Sequence, residues 1–179
     1  MFRKISKIAF GSLFLVVGLS GCDVISKVDS FMQSEIPLNN SEIVAQNPNS
    51  LTNIERSIHE QINKYRQSQN LPPLTLNAAI TQQSRLHSQA MASGKVPFSH
   101  QGFEQRVNAI AKSLSYGSAG ENVAFNQGFK DPATQAVQGW LKSPGHLKNI
   151  RSNFNLTGIG VAQNSKGEYY FTQIFIRSR

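Results

Sequence analysis

The chain has 179 residues, of which 39% are hydrophobic, and it carries a formal net charge of +8. This length suits one domain with a short appendage, and the hydrophobic content indicates a globular core rather than a disordered chain. Cys22 is the only cysteine, which excludes an internal disulfide and a cysteine-based structural zinc site.

The charge is unevenly distributed along the chain. Residues 51–179 contain 14 Lys and Arg against six Asp and Glu, whereas residues 22–50 contain one Lys against four acids. A basic domain of this kind either presents an ordinary solvated surface or is attracted to anionic lipids and cell-wall polymers. The basic residues are scattered and follow an export signal, so nucleic acid is not an expected partner.

The N-terminus has the features of a bacterial lipoprotein signal peptide over residues 1–21. Three basic residues precede a 12-residue apolar stretch at 8–19, which is shorter than the roughly 20 residues that a membrane span needs. Leu19-Ser-Gly-Cys22 resembles the lipobox, in which the cysteine receives a diacylglycerol and becomes the mature N-terminus. We therefore expect an acylated, membrane-anchored protein of the cell envelope that faces the periplasm or the exterior. Ordinary secretion and a retained short anchor are the alternatives.

Residues 22–50 are predicted to be the lipidated N-terminus and a flexible connector. They are rich in Ser, Asn, Gln and Pro, as linkers are. Ile25, Val28, Met32 and Ile36 recur at helical spacing, so a short interfacial helix is the alternative.

Three helices are predicted in the first half of the domain. Thr52-Asn-Ile-Glu55 has the pattern of a capping box, and the helix that it starts should end before Leu71-Pro-Pro-Leu74. Asn77 is expected to cap a second helix that closes near Gly94. Residues 103–111 favour a shorter third helix.

The second half is predicted to supply the sheet and a further helix. Residues 121–125 are typical of a strand, and Asp131-Pro132 is a strong helix start. Residues 156–163 and 168–176 form a predicted hairpin around a turn at 164–167. The pattern indicates an α+β domain over residues 51–179, with a small, mostly antiparallel sheet between helices.

Short motifs in residues 51–179 resemble, in order, the CAP family (cysteine-rich secretory proteins, antigen 5, pathogenesis-related 1; the SCP-like domain) in its bacterial form. The motifs are Tyr65-Arg66, Leu71-Pro-Pro-Leu-Thr-Leu76, His87-Ser88, Met91-Ala92, Phe98-Ser99-His100, Gly120-Glu121-Asn122, Trp140, Ser143-Pro-Gly-His146, Asn149-Ile150, Gly158-Ile-Gly160 and Thr172-Gln173. The resemblance implies an α-β-α sandwich with a surface cleft.

The resemblance also nominates site residues. The family cleft holds two histidines and two acids, which correspond by motif to His100, His146 and Glu121, with Ser143 at the place of the second acid. The resemblance implies that His100, His146 and Glu121 could bind Zn²⁺ or another divalent cation weakly, or that Glu121 orients a metal-bound water. Without a metal, His100 and Glu121 would only tie a loop to the sheet, and His146 would be an exposed polar residue. His87 is expected to be a buried, hydrogen-bonded histidine instead.

Three functions remain open from the sequence. The first is a non-enzymatic envelope module, expected to be monomeric, that binds a lipid, a glycan or a protein. The second is a metal-dependent hydrolase that uses a water polarised at the His/Glu cleft. The third is a structural surface protein with an unused cleft. Ser99 is adjacent to His100 on an extended chain, so the two side chains should diverge, and no catalytic nucleophile is predicted.

Overall fold

The computed structural model describes residues 48–179, so the signal peptide, Cys22 and nearly all of the connector lie outside the described residues. The described part contains five helices and four strands. In chain order they are α1 Pro48–Ser68, β1 Thr75–Leu76, α2 Ala78–Ala92, α3 Phe103–Ala111, β2 Tyr116–Gln127, α4 Pro132–Lys142, α5 Pro144–Arg151, β3 Leu156–Gln163 and β4 Glu168–Ser178. No helix in this range is long and apolar enough to span a bilayer.

The four strands form one sheet in the order β1-β3-β4-β2. The short β1 runs parallel to β3, whereas β3 and β2 are both antiparallel to β4. The expected mostly antiparallel sheet is therefore confirmed, and β2 is an edge strand.

Helices cover both faces of the sheet and give the α-β-α sandwich that the family resemblance implies. On one face, α1, α4 and α5 bury the larger core around Trp140, Phe171 and Phe175. On the other face, α2 and α3 pack Ile80 and Ile110 against strand β4. Trp140 is 1% exposed and its indole N–H donates to the Val123 carbonyl at 2.9 Å, so it is a core residue.

Helix α2 lies directly on β3 because two glycines leave room for its backbone. A Cβ added at Gly158 would lie 2.2 Å from Thr81 N, and one at Gly160 would lie 2.2 Å from Arg85 N. The close approach lets two buried serines on α2 bond the strand, Ser84 Oγ donating to the Gly158 carbonyl at 3.0 Å. The Gly158-Ile-Gly160 motif therefore allows α2 to pack closely against β3.

Some predicted boundaries are confirmed and others are wrong. Asn77 caps α2 and Asp131 caps α4 through their side-chain oxygens, as expected. The predicted helix start at Thr52 is wrong, because α1 begins at Pro48. Glu55 does not close a capping box; its buried carboxylate accepts from Arg85 Nε at 2.9 Å. Strand β1 and helix α5 were not predicted as separate elements.

Candidate functional site

Two histidines from distant segments meet beside the edge strand β2. His100 lies in the loop between α2 and α3, and His146 lies in the first turn of α5. Their ring centroids are 6.4 Å apart, with the rings tilted by 49°. Glu121 on β2 completes the group, since its Oε1 lies 3.0 Å from His100 Nδ1. The structure thus brings together His100, Glu121 and His146.

Glu121 is a buried carboxylate paired with Arg106 of α3. Its side chain is 2% exposed and that of Arg106 is 10% exposed. Arg106 Nε donates to Oε2 at 2.9 Å and Nη2 donates to Oε1 at 2.8 Å, which is the two-pronged geometry of a strong guanidinium–carboxylate pair. Both Glu121 oxygens are therefore engaged within the protein.

This ion pair determines which ring nitrogen of His100 donates to Glu121. A carboxylate held by a guanidinium offers only acceptors, so His100 must donate to it through Nδ1–H. In the neutral ring, the Nε2 atom then carries the lone pair. No hydrogen bond to Nε2 forms within residues 48–179, and the side chain is 53% exposed, so this nitrogen is open to a ligand.

His87 and Arg106 hold the loop that carries His100. Arg106 Nη1 donates to the Gln101 carbonyl at 2.9 Å and to His87 Nδ1 at 3.1 Å. Because Nδ1 of His87 accepts from a permanent cation, Nε2 carries the hydrogen and donates to the Ser99 carbonyl at 2.9 Å. Burial, reinforced by Arg106, lowers the pKa of His87, which keeps the ring neutral. The prediction of a buried, hydrogen-bonded His87 is confirmed.

Two asparagines seat α5 against β2 and so place His146. Asn122 Nδ2 donates to the His146 carbonyl at 3.2 Å, and Asn149 Nδ2 donates to the Glu121 carbonyl at 3.0 Å and to Asn122 Oδ1 at 2.9 Å. Gly120 leaves space for this contact, since a Cβ there would lie 2.9 Å from Asn149 Oδ1. The Gly120-Glu121-Asn122 motif therefore supplies the carboxylate that contacts His100 and also holds α5, which carries His146.

His146 is a half-buried imidazole whose ring forms no hydrogen bond within the described residues. Partial burial, and secondarily the neighbouring His100, lowers its pKa. The neutral ring is therefore favoured at neutral pH, and neutral imidazole is the form that binds a metal ion.

The donor set for a metal ion consists of two imidazoles. No group of three His, Cys, Asp or Glu side chains in residues 48–179 is placed to hold a metal ion. Glu121 is occupied by Arg106, and Ser143, which lies between α4 and α5, brings no carboxylate. His100 and His146 could supply two nitrogen ligands and leave the other positions to water or a ligand.

The hydroxyl of Ser99, the residue next to His100, bonds the loop backbone. It donates to the Pro97 carbonyl at 3.3 Å and accepts from the Gln101 amide at 3.2 Å. These contacts stabilise the loop turn and do not involve an imidazole.

Arg106 is the site residue that the sequence does not reveal. It is one of 14 basic residues in residues 51–179, and no motif singles it out. The available signal was indirect, because a carboxylate buried in a strand requires a positive partner.

Several known proteins resemble this chain. The pattern of the cysteine-rich secretory protein family (CAP) matches residues 59–175. The uncharacterized protein YkwD of Bacillus subtilis is 36% identical over 132 residues, which cover 72% of this chain and 49% of YkwD. The chain thus spans about half the length of this curated relative.

Solved structures show the same fold. An extracellular protein of Bacillus anthracis that contains an SCP domain has a TM-score of 0.60 and 28% identity, covering 74% of this chain and 44% of that protein. An outer surface protein of Borrelia burgdorferi also has a TM-score of 0.60, with 17% identity, covering 71% of this chain and 94% of that protein. The second likeness shows the fold alone.

Proposed function

Since the chain belongs to the cysteine-rich secretory protein family (CAP), we propose that it is an extracytoplasmic lipoprotein whose domain binds a ligand between His100 and His146. In this proposal the lipid on Cys22 tethers the protein to a membrane. The domain on the outer side of that membrane acts as a binding module rather than as an enzyme.

The export and tether rest on the N-terminal sequence. A basic start, a short apolar stretch and a lipobox-like tetrapeptide precede the domain. The Bacillus anthracis protein of the same fold is an extracellular protein, which supports the outward location. Replacing Cys22 with Ser should release the protein from washed membranes, and a variant that still fractionates with them at full length would refute lipidation as the anchor.

The pairing of His100 with His146 is the observation that carries the binding function. The two rings come from opposite helical layers and lie 6.4 Å apart between centroids. A buried ion pair orients one ring, and an asparagine pair seats the helix of the other. Two unrelated surface histidines would not need these supporting contacts. Side chains held in position in this way are typical of a binding site.

Binding is favoured over hydrolysis because the groups that hydrolysis needs are already used. Glu121 would have to leave Arg106 to act as a base, and Ser99 bonds the loop backbone. The metal-dependent hydrolase and the structural protein are the less favoured alternatives.

A divalent cation such as Zn²⁺ is the group that we propose for the two imidazoles. His100 and His146 would hold it, and when bound it would polarise an anionic or carbonyl ligand. With two protein ligands the affinity should be modest, and it should fall in acid as the rings become protonated.

Zinc is a suitable probe of the pair. The full chain, its His100→Ala and His146→Ala variants and a His59→Gln control would be titrated with Zn²⁺ by calorimetry in two buffers at neutral pH. His59 bonds the Leu74 carbonyl, so its variant controls for adventitious zinc binding by a surface histidine. We expect one saturable site in the wild type and the control, and none in either cleft variant. If the wild type gives no heat of zinc binding, the metal is removed from the proposal.

The ligand itself requires a separate assay. The wild type and the two cleft variants would be incubated with extracts of envelope lipids and glycans, and the co-purifying molecules identified by mass spectrometry. Retention by the wild type alone supports the cleft as the binding site, whereas equal retention by all three contradicts it.

A further inference from the structure

Aromatic side chains are exposed together at one end of the domain. Five large hydrophobic side chains of residues 48–179 are exposed, and three of them are Phe98 at 51%, Phe125 at 45% and Phe129 at 49%. Phe125 packs against Phe98 with centroids 6.3 Å apart and against Tyr170 at 5.1 Å. We call Phe98, Phe125, Phe129 and Tyr170 the aromatic end. Scattered apolar side chains are normal on a surface, whereas the ring contacts of Phe98, Phe125 and Tyr170 join them into one patch, which is typical of an interaction site.

The aromatic end adjoins the point at which the chain enters the domain. Leu51 of α1 lines a cavity of about 710 Å³ that Tyr170 and Lys166 also line. Asn49 lines a second cavity together with Lys130, the residue after Phe129. The segment that leads back to Cys22 therefore joins the domain beside the aromatic end.

Three lysines lie on the segments that carry or adjoin the aromatic end. Lys95, Lys130 and Lys166 are exposed, and the Lys166 carbonyl accepts from Gln127 at the end of β2 at 2.8 Å. Two acids, Asp131 and Glu168, lie nearby and bond only neutral groups, so the three lysines exceed the nearby acids by one charge. Aromatic and basic side chains together are the combination that anionic membrane surfaces attract.

We propose that the aromatic end and Lys95, Lys130 and Lys166 dock on the anionic lipid bilayer to which the protein is tethered. The inference rests on the tethering part of the proposed function. A bilayer is favoured over a glycan because the tether of the proposed function holds the domain next to a membrane. The position beside the chain entry favours a bilayer over a separate protein partner.

Docking would also orient the site. His100 follows Phe98 by two residues in the same loop, so seating Phe98 in the headgroup layer brings the cleft close to the membrane surface. The ligand of the His100–His146 cleft would then be drawn from, or delivered to, the bilayer.

The test uses the full lipidated chain reconstituted in vesicles. A single cysteine replaces exposed Ser165, in the hairpin turn beside Lys166, and a fluorophore on it is quenched by nitroxide-labelled lipids. The matched control carries the label at exposed Ser118, about 30 Å away along β2. In vesicles containing phosphatidylglycerol, we expect quenching at residue 165 to exceed that at residue 118 by about threefold or more.

Two comparisons decide the outcome. Changing Phe98, Phe125 and Phe129 together to Ser should reduce quenching at residue 165 to the level at residue 118. All three are exposed, so the fold should persist, and circular dichroism checks this. Replacing phosphatidylglycerol with phosphatidylcholine should weaken the quenching. Equal quenching at the two labels, or quenching that the triple variant leaves unchanged, would overturn the proposal.

The experiment distinguishes failure of the lipid tether from failure of docking. If Cys22 is not acylated, mass spectrometry finds a second fluorophore on it and the protein does not stay with the vesicles. If the protein stays with the vesicles but the label at residue 165 is quenched no more than the label at residue 118, the tether stands and the bilayer is the wrong occupant of the aromatic end.

Discussion

Replacing Glu121 with Gln tests the ion pair on which the site is built. The change keeps the volume of the side chain and one acceptor oxygen, but it removes the charge opposite Arg106. The Arg106 side chain is 10% exposed, so its guanidinium cannot regain full hydration by turning outward. Its Nη1 contacts with Gln101 and His87 also hold it in place.

The expected cost follows from this burial. Removing one partner of a buried ion pair typically costs about 3–5 kcal/mol, because the remaining charge stays uncompensated. Since Gln retains one acceptor, we expect the free energy of unfolding to fall by an amount at the lower end of this range, about 3 kcal/mol. A domain of ordinary stability, about 5–15 kcal/mol, would remain folded after this loss.

The matched control is Glu55→Gln. Glu55 is also buried and also accepts from an arginine, but the Arg85 side chain is 44% exposed and can be rehydrated. Its variant should lose only about 1 kcal/mol. Urea unfolding at neutral pH measures both free energies. Equal losses, or a loss below about 1 kcal/mol for Glu121→Gln, would refute the view that Arg106 depends on Glu121.

Three further predictions follow from the packing and the titrating groups. Gly158→Ala places a Cβ 2.2 Å from Thr81 N, so it should lower the free energy of unfolding by about 3 kcal/mol or more, as measured in urea. An unfolding free energy equal to that of the wild type would contradict the close packing. Gly139→Ala, in α4 with no neighbour within 4 Å, should instead gain about 0.5–1 kcal/mol, and a loss would show that space is lacking there. Burial lowers the pKa of both His87 and His146, so the unfolded chain binds protons first as the pH falls below about 6.5, and stability should decline there. His87→Gln should flatten the dependence of the unfolding free energy on pH between about pH 7 and pH 5, and an unchanged slope would contradict a neutral buried His87.

Local signals predicted those elements whose ends are marked by side-chain chemistry. Asn77 and Asp131 cap their helices with their own oxygens, so each helix start could be read from one residue. The two strands of the hairpin are bounded by a turn with Gly167 at positive φ, which is equally local.

Tertiary contacts decided the elements that the sequence left out or misplaced. Glu55 fits a capping box by spacing, but Arg85 and the Val161 amide, far away in the chain, recruit its carboxylate into the interior. Strand β1 has two residues and exists only through its pairing with β3. Arg106 could not be selected from the other basic residues, because its role depends on a carboxylate on a strand 15 positions later. The family resemblance, rather than spacing, nominated His100 and His146.

The edge position of β2 limits what the site can recognise. An exposed edge strand ordinarily invites an extended peptide, whose backbone pairs with the free carbonyls and amides. Here side chains already occupy two carbonyls of β2: Asn149 Nδ2 donates to Glu121 and Trp140 Nε1 donates to Val123. A peptide strand added beside the histidines would have to displace a buried indole and an asparagine that seats α5. Under the proposed function, recognition would then fall to the imidazoles of His100 and His146, which favours a small polar or metal-bound group over a peptide backbone.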